Sequence, residues 1–171
     1  AGQYYIKALL LNNGFSNAYA SLGQVYQELG DTAAAMLNFN SALRINPKLA
    51  EAYNYRGMAY AATENKRAAF ANYDSAILLN NRYAAAYCNR GALYLQVGNK
   101  QAATADLEQA LTLDPDYAPS YNYRGQMLFA GGNKTDAIDD FTKAIALKPT
   151  FAEAYFNRGW AYYATGNTGR S

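Results

Sequence analysis

The sequence of 171 residues predicts an all-α chain built from stacked pairs of antiparallel helices. Three observations carry that prediction. Gly23, Gly57, Gly91, Gly125 and Gly159 recur 34 residues apart. Around them stand Tyr19, Tyr53, Tyr87, Tyr121 and Tyr155, four residues before, and Tyr26, Tyr60, Tyr94, Leu128 and Tyr162, three residues after. Those spacings put the large side chains and the glycine on one helical face. Further on, Ala35, Ala69, Ala103 and Ala137, then Ala42, Ala76, Ala110 and Ala144, bracket Phe39, Tyr73, Leu107 and Phe141. A period held across this many positions marks a repeat architecture.

Each element follows in order. Glycine inside a helix costs about 1 kcal/mol against alanine, so its return in every first helix implies the close approach of a neighbouring helix. Small alanines facing Phe39, Tyr73, Leu107 or Phe141 supply pockets and knobs for packing the second helix on the first. Gly30, Gly98, Gly132 and Gly166 suit the left-handed stop of the first helix; Glu64 replaces this glycine once, and there Asn65 is expected to turn left-handed instead. Asp31, Asn99, Asn133 and Asn167 then cap the second helix. Pro47, Pro115 and Pro149 close it, with Asn81 in their place once.

With the recurring glycine as position 8, full repeats run 16–49, 50–83, 84–117 and 118–151. Residues 1–15 fit a half repeat (second helix) and 152–171 a half repeat (first helix), so residues 1–171 read as one array. Ala1 is not an initiator Met, and the chain is expected to be a processed protein or an excised piece.

Composition narrows the function. The chain has no His, which removes histidine-activated nucleophiles, histidine metal ligation and the usual neutral-pH proton shuttle. Cys88 is the lone Cys and has no adjacent cation to lower its pKa, so it reads as inert. Asp139 and Asp140 read as solvated charges on an exposed helix. With no phosphate loop and no carboxylate dyad, no enzyme activity, cofactor or metal is expected. A net charge of +2 gives no nucleic-acid footprint, and no apolar run reaches a membrane span. Arg56, Arg90, Arg124 and Arg158 precede the glycine; Asp106 and Asp140 lie 16 residues after Arg90 and Arg124, and Asn72 after Arg56. That spacing predicts a tie between the two helices of a pair rather than a basic binding stripe.

The pattern of aromatic, Gly, Tyr, Ala, aromatic, Ala and Pro in 34 residues resembles the tetratricopeptide repeat (TPR) family, in the style of bacterial superhelical arrays. The resemblance spans the whole chain. It implies an α-α superhelix, a right-handed TPR solenoid with first helices lining a concave groove. The groove positions of the family then fall on Asn54, Tyr55, Met58, Cys88, Asn89, Leu95, Asn122, Tyr123, Gln126 and Asn157. Asn54, Asn89, Asn122 and Asn157 put one amide in each repeat, alternating between positions 5 and 6. Such a row either pairs with the backbone of an extended peptide or bonds neighbouring helices. Family members that hold acidic C-termini use lysines where this chain has Ala20, Asn54, Cys88, Ala85, Pro119 and Glu153, which argues against that ligand.

Three functions fit. The first is a non-catalytic scaffold whose groove binds a protein, as an extended peptide or a partner helix. The second is a homo-oligomer formed by head-to-tail stacking, because neither half repeat has a polar cap. Tyr4, Tyr5, Ile6 and Leu9 at one end, and Tyr155, Trp160 and Tyr162 at the other, are the expected stacking residues. Ala1 begins at position 20, where Ser171 leaves off, so two copies complete one repeat between them. The third is the recognition part of a larger enzyme.

Overall fold

The computed structural model describes residues 2–11 and 14–166, with side chains for 2–7 and 14–166. Among the described residues it contains ten α-helices and no strand. They are α1 (Gly2–Leu11), α2 (Ser16–Glu28), α3 (Thr32–Ile45), α4 (Ala50–Ala62), α5 (Lys66–Leu79), α6 (Ala84–Gln96), α7 (Lys100–Leu113), α8 (Ala118–Ala130), α9 (Lys134–Leu147) and α10 (Ala152–Ala164). Even-numbered helices are the first helices of the repeats. The helices gather into two compact units, 1–89 and 90–171, which divide α6 between them.

In the unit 1–89, α2 with α3 and α4 with α5 form hairpins. A Cβ added to Gly23 would lie 2.5 Å from the Phe39 ring, and one on Gly57 would lie 2.6 Å from the Tyr73 ring. Both rings therefore rest directly on a bare helix backbone. Between repeats the contact is small against small. Ala42 and Leu43 of α3 pack with Ala52 of α4, and Ala35 and Phe39 with Ala59. All four alanines are fully buried. At the start of α1, Gly2 sits against Val25 and Leu22 of α2.

The unit 90–171 repeats the plan. Phe141 of α9 covers Gly125 of α8, where an added Cβ would meet the ring at 2.6 Å. Leu107 covers Gly91 more loosely, at 3.1 Å. Ala137 and Phe141 join Ala161 of α10, and Ala144 and Ile145 join Ala154.

The punctuation follows the expected register, with three departures. Gly30, Gly98, Gly132 and Gly166 have φ of 80°, 78°, 89° and 75°. In the one repeat without this glycine, Glu64 rather than Asn65 takes the left-handed conformation, at φ 59°. The reason is that Asn65 is already committed as the cap of α5, its side chain accepting from the Ala68 amide, and that role needs φ of −81°. Asp31 and Asn99 cap α3 and α7 in the same way, accepting from Ala34 and Ala102. Asn133 stands at the cap of α9 without a side-chain capping bond. Asn167 lies outside the described residues. The helices α3, α7 and α9 end two residues before Pro47, Pro115 and Pro149, and α5 ends at the same place before Asn81. Proline therefore reinforces the stop and does not create it.

The ring-on-glycine contact and the left-handed turn can each be tested. Gly125→Ala drives a methyl into the Phe141 ring and should lower stability by about 1–3 kcal/mol in denaturant titrations. Gly91→Ala should cost clearly less than Gly125→Ala, because its methyl meets Leu107 and the Asp106 Cβ at 3.1–3.3 Å rather than a ring at 2.6 Å, and alanine gains about 1 kcal/mol of helix propensity. Glu64→Gly should raise stability by about 1–2 kcal/mol, since it removes the side-chain penalty of the left-handed region.

Candidate functional site

The first helices carry the candidate site, and the amide row is the feature to place. In the unit 1–89, Asn89 Nδ2 donates to Asn54 Oδ1 at 2.9 Å. Asn54 Nδ2 approaches the Tyr83 hydroxyl at 3.4 Å. In the unit 90–171, Asn157 Nδ2 donates to Asn122 Oδ1 at 3.0 Å, and Asn122 Nδ2 donates to Glu153 Oε1 at 3.2 Å. Gln126 Nε2 reaches the same Glu153 oxygen at 2.9 Å. Each position-6 asparagine thus clasps the position-5 asparagine of the repeat before it. Alternation between positions 5 and 6 is what allows the two amides to meet.

This arrangement corrects the groove assignment of three residues. Asn54 and Asn122 are 1% and 0% exposed, and Cys88, at the same position 5, is 0% exposed. Asn54 lies beneath position 6 of the next first helix, and Asn122 beneath positions 2 and 6, as the bonds from Asn89 and Asn157 and to Glu153 show. Tyr55, Asn89, Leu95, Tyr123, Gln126 and Asn157 are half-buried, and Met58 is exposed.

Where position 6 holds Tyr instead of Asn, the junction opens into a hollow. Tyr55 borders one in the unit 1–89, of about 260 Å³, with Asn17, Ser21, Leu49 and Glu51. Tyr123 borders one in the unit 90–171, of about 300 Å³, with Leu95, Met127, Gln96, Gln126 and Lys100. The second hollow is predominantly apolar. Beside the first, burial pushes the Tyr83 phenol well above its ordinary pKa, and Tyr55 and Glu51 add to the shift against the opposing Asn54 bond. Tyr83 shares its register position with Phe15, Leu49, Tyr117 and Phe151, but nothing in that spacing points to the Asn54 amide.

The arginines bind within the fold. Arg90 Nε and Nη2 donate to the two Asp106 oxygens at 2.7 and 2.8 Å, and Arg124 does the same with Asp140 at 2.7 Å for both bonds. Asp140 is 6% exposed, so it is no solvated charge. The bond to Asp140 holds the Arg124 proton more tightly than water does, against the effect of burial. Arg56 donates to Asn72 and also to Asn40, each at 2.8 Å. Asn40 was not foreseen, because it belongs to the preceding repeat. Arg56, Arg124 and Arg158 also lie over the rings of Tyr53, Tyr121 and Tyr155.

The expected stacking residues divide between open and half-buried positions. Tyr4, Ile6, Tyr155 and Trp160 are exposed, while Tyr5 and Tyr162 are half-buried. The Leu9 side chain lies outside the described residues. Phe156 and Tyr163, 73% and 65% exposed, join the α10 patch, with Trp160 stacked on Tyr163 at 5.5 Å between centroids. No described helix is long and apolar enough to cross a membrane.

Ring-on-glycine hairpins joined by alanine layers define a helical-repeat solenoid of the all-α superhelical class. The sequence identifies which one. A model described as TPR repeat matches residues 23–63 and 125–166, and one described as tetratricopeptide repeat matches 84–117, together more than half of the chain. The chain belongs to the tetratricopeptide repeat family. No curated protein matches it significantly. Among solved structures it is similar to TTC0263, a thermophilic TPR protein in Thermus thermophilus, with 22% identity, TM-score 0.83, and coverage of 95% of this chain and 89% of that one. It is also similar to YrrB, described as a TPR protein with an unusual peptide-binding site, with 20% identity, TM-score 0.66, and coverage of 99% and 87%. The MamA protein is 27% identical with TM-score 0.64, over 90% of this chain and 84% of that one.

The clasp makes a direct prediction. Asn89→Ala leaves the buried Asn54 oxygen without its donor and should cost about 1–3 kcal/mol in thermal or urea denaturation, with helical content retained.

Proposed function

We propose that this chain is a non-catalytic protein-interaction scaffold that binds an extended segment of a partner through an apolar anchor on its first-helix face. One observation carries the reading: the hollow bordered by Leu95, Tyr123 and Met127, with Gln96, Gln126 and Lys100 beside the apolar surface. Its volume of about 300 Å³ suits one large side chain. Burying such a side chain is worth about 1.5–3 kcal/mol, a tenfold to hundredfold contribution to affinity. The Gln96 amide and the Gln126 carbonyl oxygen, whose amide nitrogen is held by Glu153, offer polar partners to the backbone beside the anchor. The asparagines do not serve that purpose, since they are spent on each other. The peptide-binding description of YrrB belongs to that protein; here the hollow itself supports the reading.

The groove reading is tested by selecting peptides from a display library against the chain. Enriched sequences should share one aromatic or long aliphatic residue. Leu95→Arg, at a half-buried position, should weaken the selected peptides by about tenfold or more with unchanged helicity. Peptides that lack an apolar anchor, or that bind Leu95→Arg unchanged, would refute it.

A further inference from the structure

The hollow beside Tyr123 has polar groups at two edges, and they differ in sign. Lys66, Lys100 and Lys134 share one register position, the first residue of α5, α7 and α9. Lys66 Nζ lies 3.4 Å from the Glu64 carboxylate, and Lys134 Nζ donates to the Ala164 carbonyl at 3.0 Å. Lys100 lines the hollow instead. It is exposed, and its ammonium has no hydrogen-bond or ion-pair partner among the described residues.

The other edge is set by a carboxylate. Glu153 of α10 accepts at one oxygen from Gln126 Nε2 at 2.9 Å and from Asn122 Nδ2 at 3.2 Å. A carboxylate accepts and never donates, so both amides must turn their nitrogens toward it. Gln126 therefore presents its carbonyl oxygen to the hollow that it lines. Asn122 in turn presents Oδ1 to Asn157, which donates to it at 3.0 Å. One exposed carboxylate thus fixes three amides, and the hollow is left with an acceptor that has a negative charge behind it. The unit 1–89 lacks this device. There position 9 of α4 is Met58, position 2 of α6 is Ala85, and Asn54 Nδ2 approaches the Tyr83 hydroxyl, a group that donates as well as accepts.

We infer that the hollow selects the polarity of its partner segment: beside the apolar anchor an acidic residue faces Lys100, and a hydrogen-bond donor, Lys or Arg above all, faces Gln126 and Glu153. This polarity rests on the hollow being the binding site and adds the charge pattern of the partner. Lys100 comes from the hairpin before α8 and Glu153 from the helix after it, so the two charges stand on different sides of the anchor. An acidic residue on the Gln126 side would meet an acceptor oxygen and a carboxylate, a like-charge contact that rejects the reversed order.

The test uses the peptide that binds tightest after display selection on the intact chain, with affinity read by fluorescence anisotropy. That peptide should carry an acidic residue on one side of its anchor and Lys or Arg on the other. Exchanging the two should weaken binding about tenfold at low salt. Lys100→Glu, at an exposed position, should keep full helicity and weaken the same peptide about fivefold. That loss should fall away in a peptide whose acidic residue is replaced by alanine, since the cycle isolates the pair. Glu153→Gln frees Gln126 to turn either way and should abolish the preference for Lys or Arg over alanine on its side. Peptides that depend on Leu95 and the anchor but tolerate the exchange overturn the polarity alone. So does a Lys100→Glu loss that is equal with and without the acidic residue, or a preference that Glu153→Gln leaves unchanged. A selection that yields no apolar anchor overturns the hollow and the polarity together.

Discussion

The whole structure depends on a ring resting on a glycine. An aromatic side chain from the second helix lies where any Cβ on the first helix would have to be, at Gly23, Gly57 and Gly125. That contact sets how closely the two helices of a hairpin approach, and the buried alanines then form a flat layer on which the next first helix can lie. The arginine ties follow from the same closeness. Arg90 and Arg124 span their hairpins with paired bonds to Asp106 and Asp140 only because the backbones beside Gly91 and Gly125 are already near. These ion pairs fix the angle of a hairpin more than they add to its stability.

The junctions between repeats are where function has room. Two of them are closed by asparagine pairs, Asn54 with Asn89 and Asn122 with Asn157. Two others, bordered by Tyr55 and Tyr123, stay open as hollows. In each pair the buried partner, Asn54 or Asn122, is held by the half-buried one and is closed to a ligand. Beside a tyrosine at the same position the junction stays hollow, and at Tyr123 the hollow is predominantly apolar. Open and closed junctions thus follow the residue at position 6.

Much of this was legible in the residues. The period of 34 identifies the hairpins, and the spacing of 16 between Arg90 and Asp106 predicts a tie that the geometry bears out. Both signals are local, within one repeat, where sequence distance stands in for spatial distance. What failed was judgement of exposure between repeats. The family register puts Asn54 and Asn122 at groove positions, yet in the structure the next first helix covers them, and Cys88 at the same position is equally buried. No spacing inside one repeat reveals that overlap. The amide row held the clue. A shift from position 5 to position 6 looks like imperfect periodicity until the two helices are seen to overlap by one residue. Glu64 was misjudged for a different reason: two local preferences of Asn65 competed, and capping won.

The alternation also bears on the editing of the array. Around the glycine the repeats read YNYRG, YCNRG, YNYRG and YFNRG from residue 53 onward, so the sequence itself alternates in twos. Deleting residues 84–117 alone would bring Tyr123 rather than Asn89 to Asn54 and strand a buried amide, whereas deleting 84–151 would bring Asn157 to it and keep a clasp. Trimming this part of the array is therefore least disruptive when done two repeats at a time.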